Sequence, residues 1–159
     1  MDASQAQALR ALLENEPVAG LGTLHKGEPA VSMVPFALLP RGQGFVIHVS
    51  QLATHTKDML ASPAVSLLVL GPRAAEVSVR ALPRVSIQGT ARQCLGTDSA
   101  YQEARQVYLA RFPDSEELFG FADFSLFVIA VRSARFVTGF AQAMSVTADA
   151  FAAVMDAAP

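Results

Sequence analysis

Phe45-Val46-Ile47-His48-Val49-Ser50-Gln51-Leu52-Ala53-Thr54-His55-Thr56-Lys57-Asp58-Met59-Leu60 decides the fold, because it runs a strand directly into a helix. Phe45 to Val49 are aromatic or β-branched with one polar interruption. Leu52, Met59 and Leu60 then recur at helical spacing, with Lys57 and Asp58 turned outward. Ser50, Thr54, His55, Thr56 and Lys57 crowd the junction. At a helix start the first backbone N–H groups lack partners and the helix dipole is positive, which favours an anion such as phosphate. A plain N-cap by Ser50 among solvated neighbours accounts for the same residues.

Working outward, residues 18–24 read as a strand, and the polar turn His25-Lys26-Gly27-Glu28 makes a hairpin to the apolar run 30–39. Pro35 within that run cannot donate to a ladder, so the strand belongs at an edge or is bulged there. Ahead of this hairpin, residues 3–13 are helix formers with Leu9, Leu12 and Leu13 on one face, ended by Asn15-Glu16-Pro17. Beyond the central stretch, residues 64–70 read as a buried strand, and Glu76-Val77-Ser78-Val79 reads equally as a short strand or a loop. Val85 and Ile87 alternate with Ser86 and Gln88, as in a half-buried strand. Asp98 or Ser99 is expected to cap a helix reaching about Arg111, and residues 115–121 to form a helical turn. Two further strands, 124–131 and 133–140, precede a small capped helix from Thr147 to Met155. Strand hairpins dominate with helices inserted singly, so the pattern predicts a mainly β (α+β) single domain over residues 1–159: an antiparallel barrel with flanking helices.

Composition narrows the function classes. With 159 residues, 52% of them hydrophobic and 16% charged, the chain can bury a sizeable core. No apolar run approaches the roughly 20 residues that span a bilayer, and Met1-Asp2-Ala3-Ser4-Gln5 lacks the basic start of a secretory signal, so a cytoplasmic, non-membrane protein is expected. A net charge of −2 without a basic cluster argues against nucleic acid as partner. The single Cys94 excludes an intrachain disulfide and reads as a small buried residue, while His25, His48 and His55 share no metal-ligand spacing, so no metal site is expected. High apolar content with little charge predicts that part of the surface is covered, most simply by a second copy in a homodimer. His48 reads as a satisfied core histidine and Asp123 as a strand-entry residue.

The order of motifs is more specific than any one of them. Ser32-Met33-Val34-Pro35-Phe36-Ala37, then Val49 through Lys57, then Pro63-Ala64-Val65-Ser66-Leu67-Leu68-Val69 are followed by Arg84-Val85-Ser86-Ile87-Gln88-Gly89, Tyr108-Leu109-Ala110-Arg111-Phe112-Pro113, Phe121-Ala122-Asp123-Phe124 and Val137-Thr138-Gly139-Phe140. This succession resembles the pyridoxamine 5′-phosphate oxidase-like FMN-binding proteins, and among them the haem-utilisation branch, over roughly residues 5 to 150. The resemblance implies an FMN-binding split β-barrel that dimerises, with FMN in clefts at the subunit interface. It implies that Ser32, Met33 and Val34 lie along the flavin, and that Ser50, His55, Thr56 and Lys57 form the phosphate corner, with Ser50 and Thr56 as hydroxyl donors. Arg84 and Gln88 would approach from the partner subunit. Departures bear on function: nothing after Arg135 is basic, unlike the substrate-gripping end of true pyridoxamine-phosphate oxidases. No histidine follows His55, whereas haem-degrading members use a C-terminal histidine toward the iron, and the family's Gly-Phe-Gly ending is Gly139-Phe140-Ala141 here. The expected function is an FMN-dependent oxidoreductase acting on a small-molecule substrate, with the flavin supplying the redox chemistry and no catalytic residue named. The alternatives are a haem-binding or haem-degrading protein, or a non-catalytic flavin-binding protein.

Overall fold

The computed structural model describes residues 1–73, 75–76, 78–139 and 142–156. The elements are α1 (Ala3–Asn15), β1 (Val18–His25), β2 (Glu28–Pro35), β3 (Ala37–Leu38), β4 (Phe45–Ser50), α2 (Thr54–Ala61), β5 (Ala64–Leu70), β6 (Arg84–Cys94), α3 (Tyr101–Arg111), β7 (Phe124–Val137), β8 (Ala143–Thr147) and α4 (Ala148–Asp156). Every strand pair is antiparallel, and the sheet runs β2-β1-β5-β6-β7-β4-β3 with β8 added to β7. Its two end strands, β2 and β3, are consecutive in the chain and separated by Phe36 alone, so the sheet curls round on itself without closing its ladder: a split β-barrel with flanking helices.

Pro35 ends β2, which is the sheet's end strand, as a residue without an N–H requires. The run read as one strand over 30–39 is therefore two, because Phe36 leaves the ladder, donates to Pro17 and turns fully into the core against Phe45. The hairpin forms as expected, with Lys26 and Gly27 at positive φ in a two-residue turn. Inside the barrel sit Leu21, Phe36, Phe45, Ile47, Leu67 and Ile87, closed at the ends by Leu9 and Leu13 of α1, Met59 of α2 and Phe151 of α4. Arg111 of α3 donates to the carbonyls of Leu13 (3.2 Å), Glu14 (3.0 Å) and Glu16 (2.6 Å), satisfying the end of α1 and fixing it to α3.

Several expectations change. Residues 64–70 are not a buried strand: Val65, Leu67 and Val69 face the core, but Leu68 and Leu70 are exposed. Neither Asp98 nor Ser99 caps α3, which starts at Tyr101 after Ala100; the Asp98 carboxylate instead accepts from the Leu95 N–H at 2.8 Å and from Arg92. The strands read at 124–131 and 133–140 are one strand, β7, and Phe140 and Ala141 lie outside the described residues, as does Val77. The strand β8 was not expected. The closing helix is, and Thr147 caps it by accepting from the Ala150 N–H at 3.2 Å.

The break in β7 has one cause. Its register against β6 shifts between Gln88 and Gly89, leaving Arg132 as the extra, unpaired residue of a β-bulge. Phe127 and Ile129 face the core before the bulge, Ala134 and Phe136 after it, so the inward phase changes from odd to even numbers. Gly89 permits the close approach: a Cβ there would lie 2.6 Å from Ile129 Cγ2 and 2.9 Å from the Ala130 carbonyl. Gly89→Ala should therefore cost roughly 1–3 kcal/mol in urea unfolding, the usual penalty for overpacking; an unchanged midpoint would show that β7 can retreat without loss.

Candidate functional site

The junction between β4 and α2 forms the corner that the sequence singles out, but its hydroxyls are spent internally. Ser50 does not cap α2, whose N-cap is Ala53 without a side-chain bond. The Ser50 hydroxyl donates to Asp123 Oδ2 at 3.1 Å and accepts from the Leu52 N–H at 3.1 Å. Thr56 is fully buried and donates to the Ser50 carbonyl at 2.7 Å, locking the helix onto the end of β4. The donors left at this corner are the first backbone N–H groups of α2, the half-buried His55 ring and the exposed Lys57. Burial holds the His55 pKa below the ordinary imidazole value, and the nearby Asp58 charge opposes that shift. Asp123 stands immediately before β7 and its carbonyl accepts from Gln51, the strand-entry role expected of it.

On β2 the three candidates divide. Val34 is buried in the core, Ser32 is half-buried with its Oγ shielded and without a partner among the described residues, and Met33 is 63% exposed on the outer face. Arg84 is tied to its own approach loop, donating to the Leu82 carbonyl at 3.1 Å. Gln88 is exposed on the outer face of β6 and accepts from the Ser133 hydroxyl at 3.4 Å. It lines two adjoining clefts. One, of about 320 Å3, has Gly22, Val31, Ser66, Gln88 and Arg132 among its walls. The other, of about 430 Å3, shares Gln88 and Arg132 and adds Ser86, Arg135 and Ser145. The corner and the clefts are thus separate regions, and neither Arg132 nor the glycine at position 22 was singled out from the sequence. The available signal was two glycines, Gly20 and Gly22, inside an apolar strand, where glycine marks a close approach.

A third cluster joins β1 to α2. Asp58, expected to turn outward, is instead 5% exposed, because β1 holds its carboxylate: its Oδ1 lies 2.8 Å from His25 Nδ1 and its Oδ2 accepts from the Thr23 hydroxyl at 3.0 Å. The hydrogen bond from His25 holds the Asp58 pKa below the usual carboxylate range, so the carboxylate is ionised and only accepts. His25 Nδ1 therefore carries the proton, and in the neutral ring Nε2 keeps its lone pair on the half-exposed side of the imidazole.

His48 is buried but not satisfied. It stacks on Phe119 with centroids 3.9 Å apart and packs edge-on to Tyr108, while its Nδ1 has no partner among the described residues. Burial drives its pKa from 6.5 down to about 4.

The chain belongs to the pyridoxamine 5′-phosphate oxidase family, which residues 6–138 match. It is 34% identical over 143 residues to the chloroplastic haem oxygenase HOZ of Arabidopsis thaliana, covering 88% of this chain and 42% of that protein. A haem-binding protein from Mycobacterium smegmatis superposes with a TM-score of 0.83 at 30% identity, over 96% of this chain and 62% of the other. The chain therefore spans less than two thirds of each. HutZ, the haem storage protein of Vibrio cholerae, shares the fold with a TM-score of 0.72 at 20% identity, over 79% of this chain and 89% of its own.

A depressed histidine pKa lowers stability in acid, because the unfolded chain takes up a proton near pH 6.5 that folded His48 refuses until about pH 4. Its neutral ring costs nothing above pH 7 and up to about 3 kcal/mol near pH 4. His48→Phe, which keeps the stack on Phe119, should flatten the fall in unfolding free energy between pH 6.5 and 4; an unaltered slope would assign it to other groups.

Proposed function

We propose that this chain is a haem-binding protein of haem utilisation, acting as a homodimer. The observation that carries the reading is that relatives as far apart as a plant oxygenase and a mycobacterial protein, at 34% and 30% identity, are both named for haem. One feature of the chain supports it. The outer face of β2, β1 and β5 carries Val31 at 82% exposure beside Met33, Leu68 and Leu70, an apolar surface suited to a flat ring and a second copy. His25 does not add to it: its side chain lies with that of Thr23 on the buried Asp58 carboxylate, on the face of β1 opposite Gly20 and Gly22, and so is turned away from a ring on that surface. Haem presents iron for an axial nitrogen and two propionates for cations. His48, stacked and enclosed, is not a ligand in this reading.

Flavin is the second reading, favoured by the exposed Lys57 beside the free N–H groups of α2. In that case FMN would bring the redox chemistry, and β2, as an end strand, would offer its unpaired backbone edge to the ring. Ser50 and Thr56 would serve by shaping the corner rather than by donating protons to phosphate.

Titration of the purified protein with haem, followed at the Soret band, tests the first reading: binding at micromolar haem or below is expected, and no binding would overturn it. His25→Ala and His48→Phe should both leave the position of that band unchanged. FMN titration tests the second. Lys57→Ala should weaken FMN about ten- to a hundredfold while leaving riboflavin unchanged, the loss of one charge-assisted contact to phosphate; equal losses would move the phosphate elsewhere. Sedimentation showing a monomer at micromolar concentration would remove the homodimer.

A further inference from the structure

Between Val18 and Leu24 the outer face of β1 is bare where its neighbours are not. Gly20 pairs with Met33 of β2 and Leu68 of β5, and Gly22 with Val31 and Ser66, so two rows of outward side chains flank a strip that has none. Nothing among the described residues requires this. Neither glycine has a positive φ, and a Cβ would meet Leu68 Cβ at 3.8 Å from Gly20 and Ser66 Cβ at 3.5 Å from Gly22, ordinary contact in both cases. That contrasts with Gly89, where the fold itself excludes a side chain. Side-chain-bearing residues are favoured in strands, so two glycines here give up stability for which the isolated chain receives no packing in return. Gly22 lines the 320 Å3 cleft, within the roughly 300–1,000 Å3 typical of ligand pockets, and Gly20 continues the strip beyond it. At the cleft's far end stands Arg132, which the β7 bulge turns outward and which forms no ion pair or hydrogen bond among the described residues.

We infer that Gly22, with Gly20 beside it, is the floor on which a planar tetrapyrrole lies, and that Arg132 binds the carboxylate at its edge. The inference rests on the haem reading and adds the surface and the charge that receive the ring. Val31 and Met33 flank one side of the ring and Leu68 the other, while Ser66 and Gln88 line the path to the guanidinium. An arginine suits a carboxylate because its planar donors match both oxygens.

Protoporphyrin IX, its dimethyl ester and haem, titrated against the full chain by fluorescence and absorbance, test this without depending on an iron ligand. Arg132→Gln should weaken the free diacid about ten- to a hundredfold and leave the diester unchanged. Gly22→Val should weaken all three by more than about tenfold while the unliganded variant melts no lower than the wild type, since the strand has room for the side chain. If wild type binds neither haem nor protoporphyrin, the haem reading falls and takes this with it. If wild type binds both and the two variants bind them equally well, the haem reading stands and this floor and anchor are overturned. Should Gly22→Val fail to fold, the diacid-against-diester comparison at Arg132, an exposed residue, decides alone.

Discussion

The bend at Arg132 is the constraint on which the barrel depends. A strand of 14 residues must pair with β4 and β6 over its first half and with β6 and β8 over its second, while the sheet curls enough to bring β2 round toward β3. A regular strand cannot keep one face inward through that curvature, and an inserted residue resets the phase. The glycine at position 89 lets β7 lie against β6 at the bend, because any side chain there would strike Ile129. One geometric solution thus closes the core and presents a cation on the outside.

The two halves of the outer surface are finished differently. Over β4 and the first half of β7, α3 supplies Ala104 and Tyr108, which bury Val46, Leu126 and Cys94 from the outside. This double burial is why β4 reads as a nearly unbroken apolar run. Over β2, β1 and β5 no described element covers Val31, Met33, Leu68 and Leu70. Fully burying one such side chain is worth about 1.5–3 kcal/mol, so a ligand or second copy that covers several of them gains most of its association energy there. A single chain therefore has a complete core and an incomplete surface.

What the sequence made legible follows from how local each signal is. The β4 to α2 junction, the hairpin at Lys26-Gly27 and the helix capped by Thr147 are set by residues a few positions apart, and all three are present. The split in β7 was misread because a bulge leaves the same trace in a sequence as two strands: an alternation that changes phase at Arg132. The Ser50 cap failed because α2 starts only at Thr54, after Ala53, so Ser50 stays in β4, where its hydroxyl donates to Asp123, 73 residues away. The relay from Thr23 through Asp58 to His25 spans two elements and leaves no spacing to read. Outward glycines in β1 were visible, but their meaning depends on β2 and β5 lying beside them with no described element above.

Charge separates the two ligand readings in space. At the start of α2 the fixed positive groups are Lys57 and the helix dipole, worth about half a charge, against the carboxylates of Asp58, ionised at neutral pH, and Asp123 beside Ser50. A phosphate dianion there would raise the pKa of His55, whose burial now holds it low, so flavin phosphate binding carries proton uptake with it. A tetrapyrrole carboxylate at Arg132 would meet a guanidinium that has no ion pair among the described residues and would need no such proton. The two ligands would thus make their ionic contacts in different regions of one barrel, and competition between them would reflect overlap of their rings along β2 rather than of their charged groups.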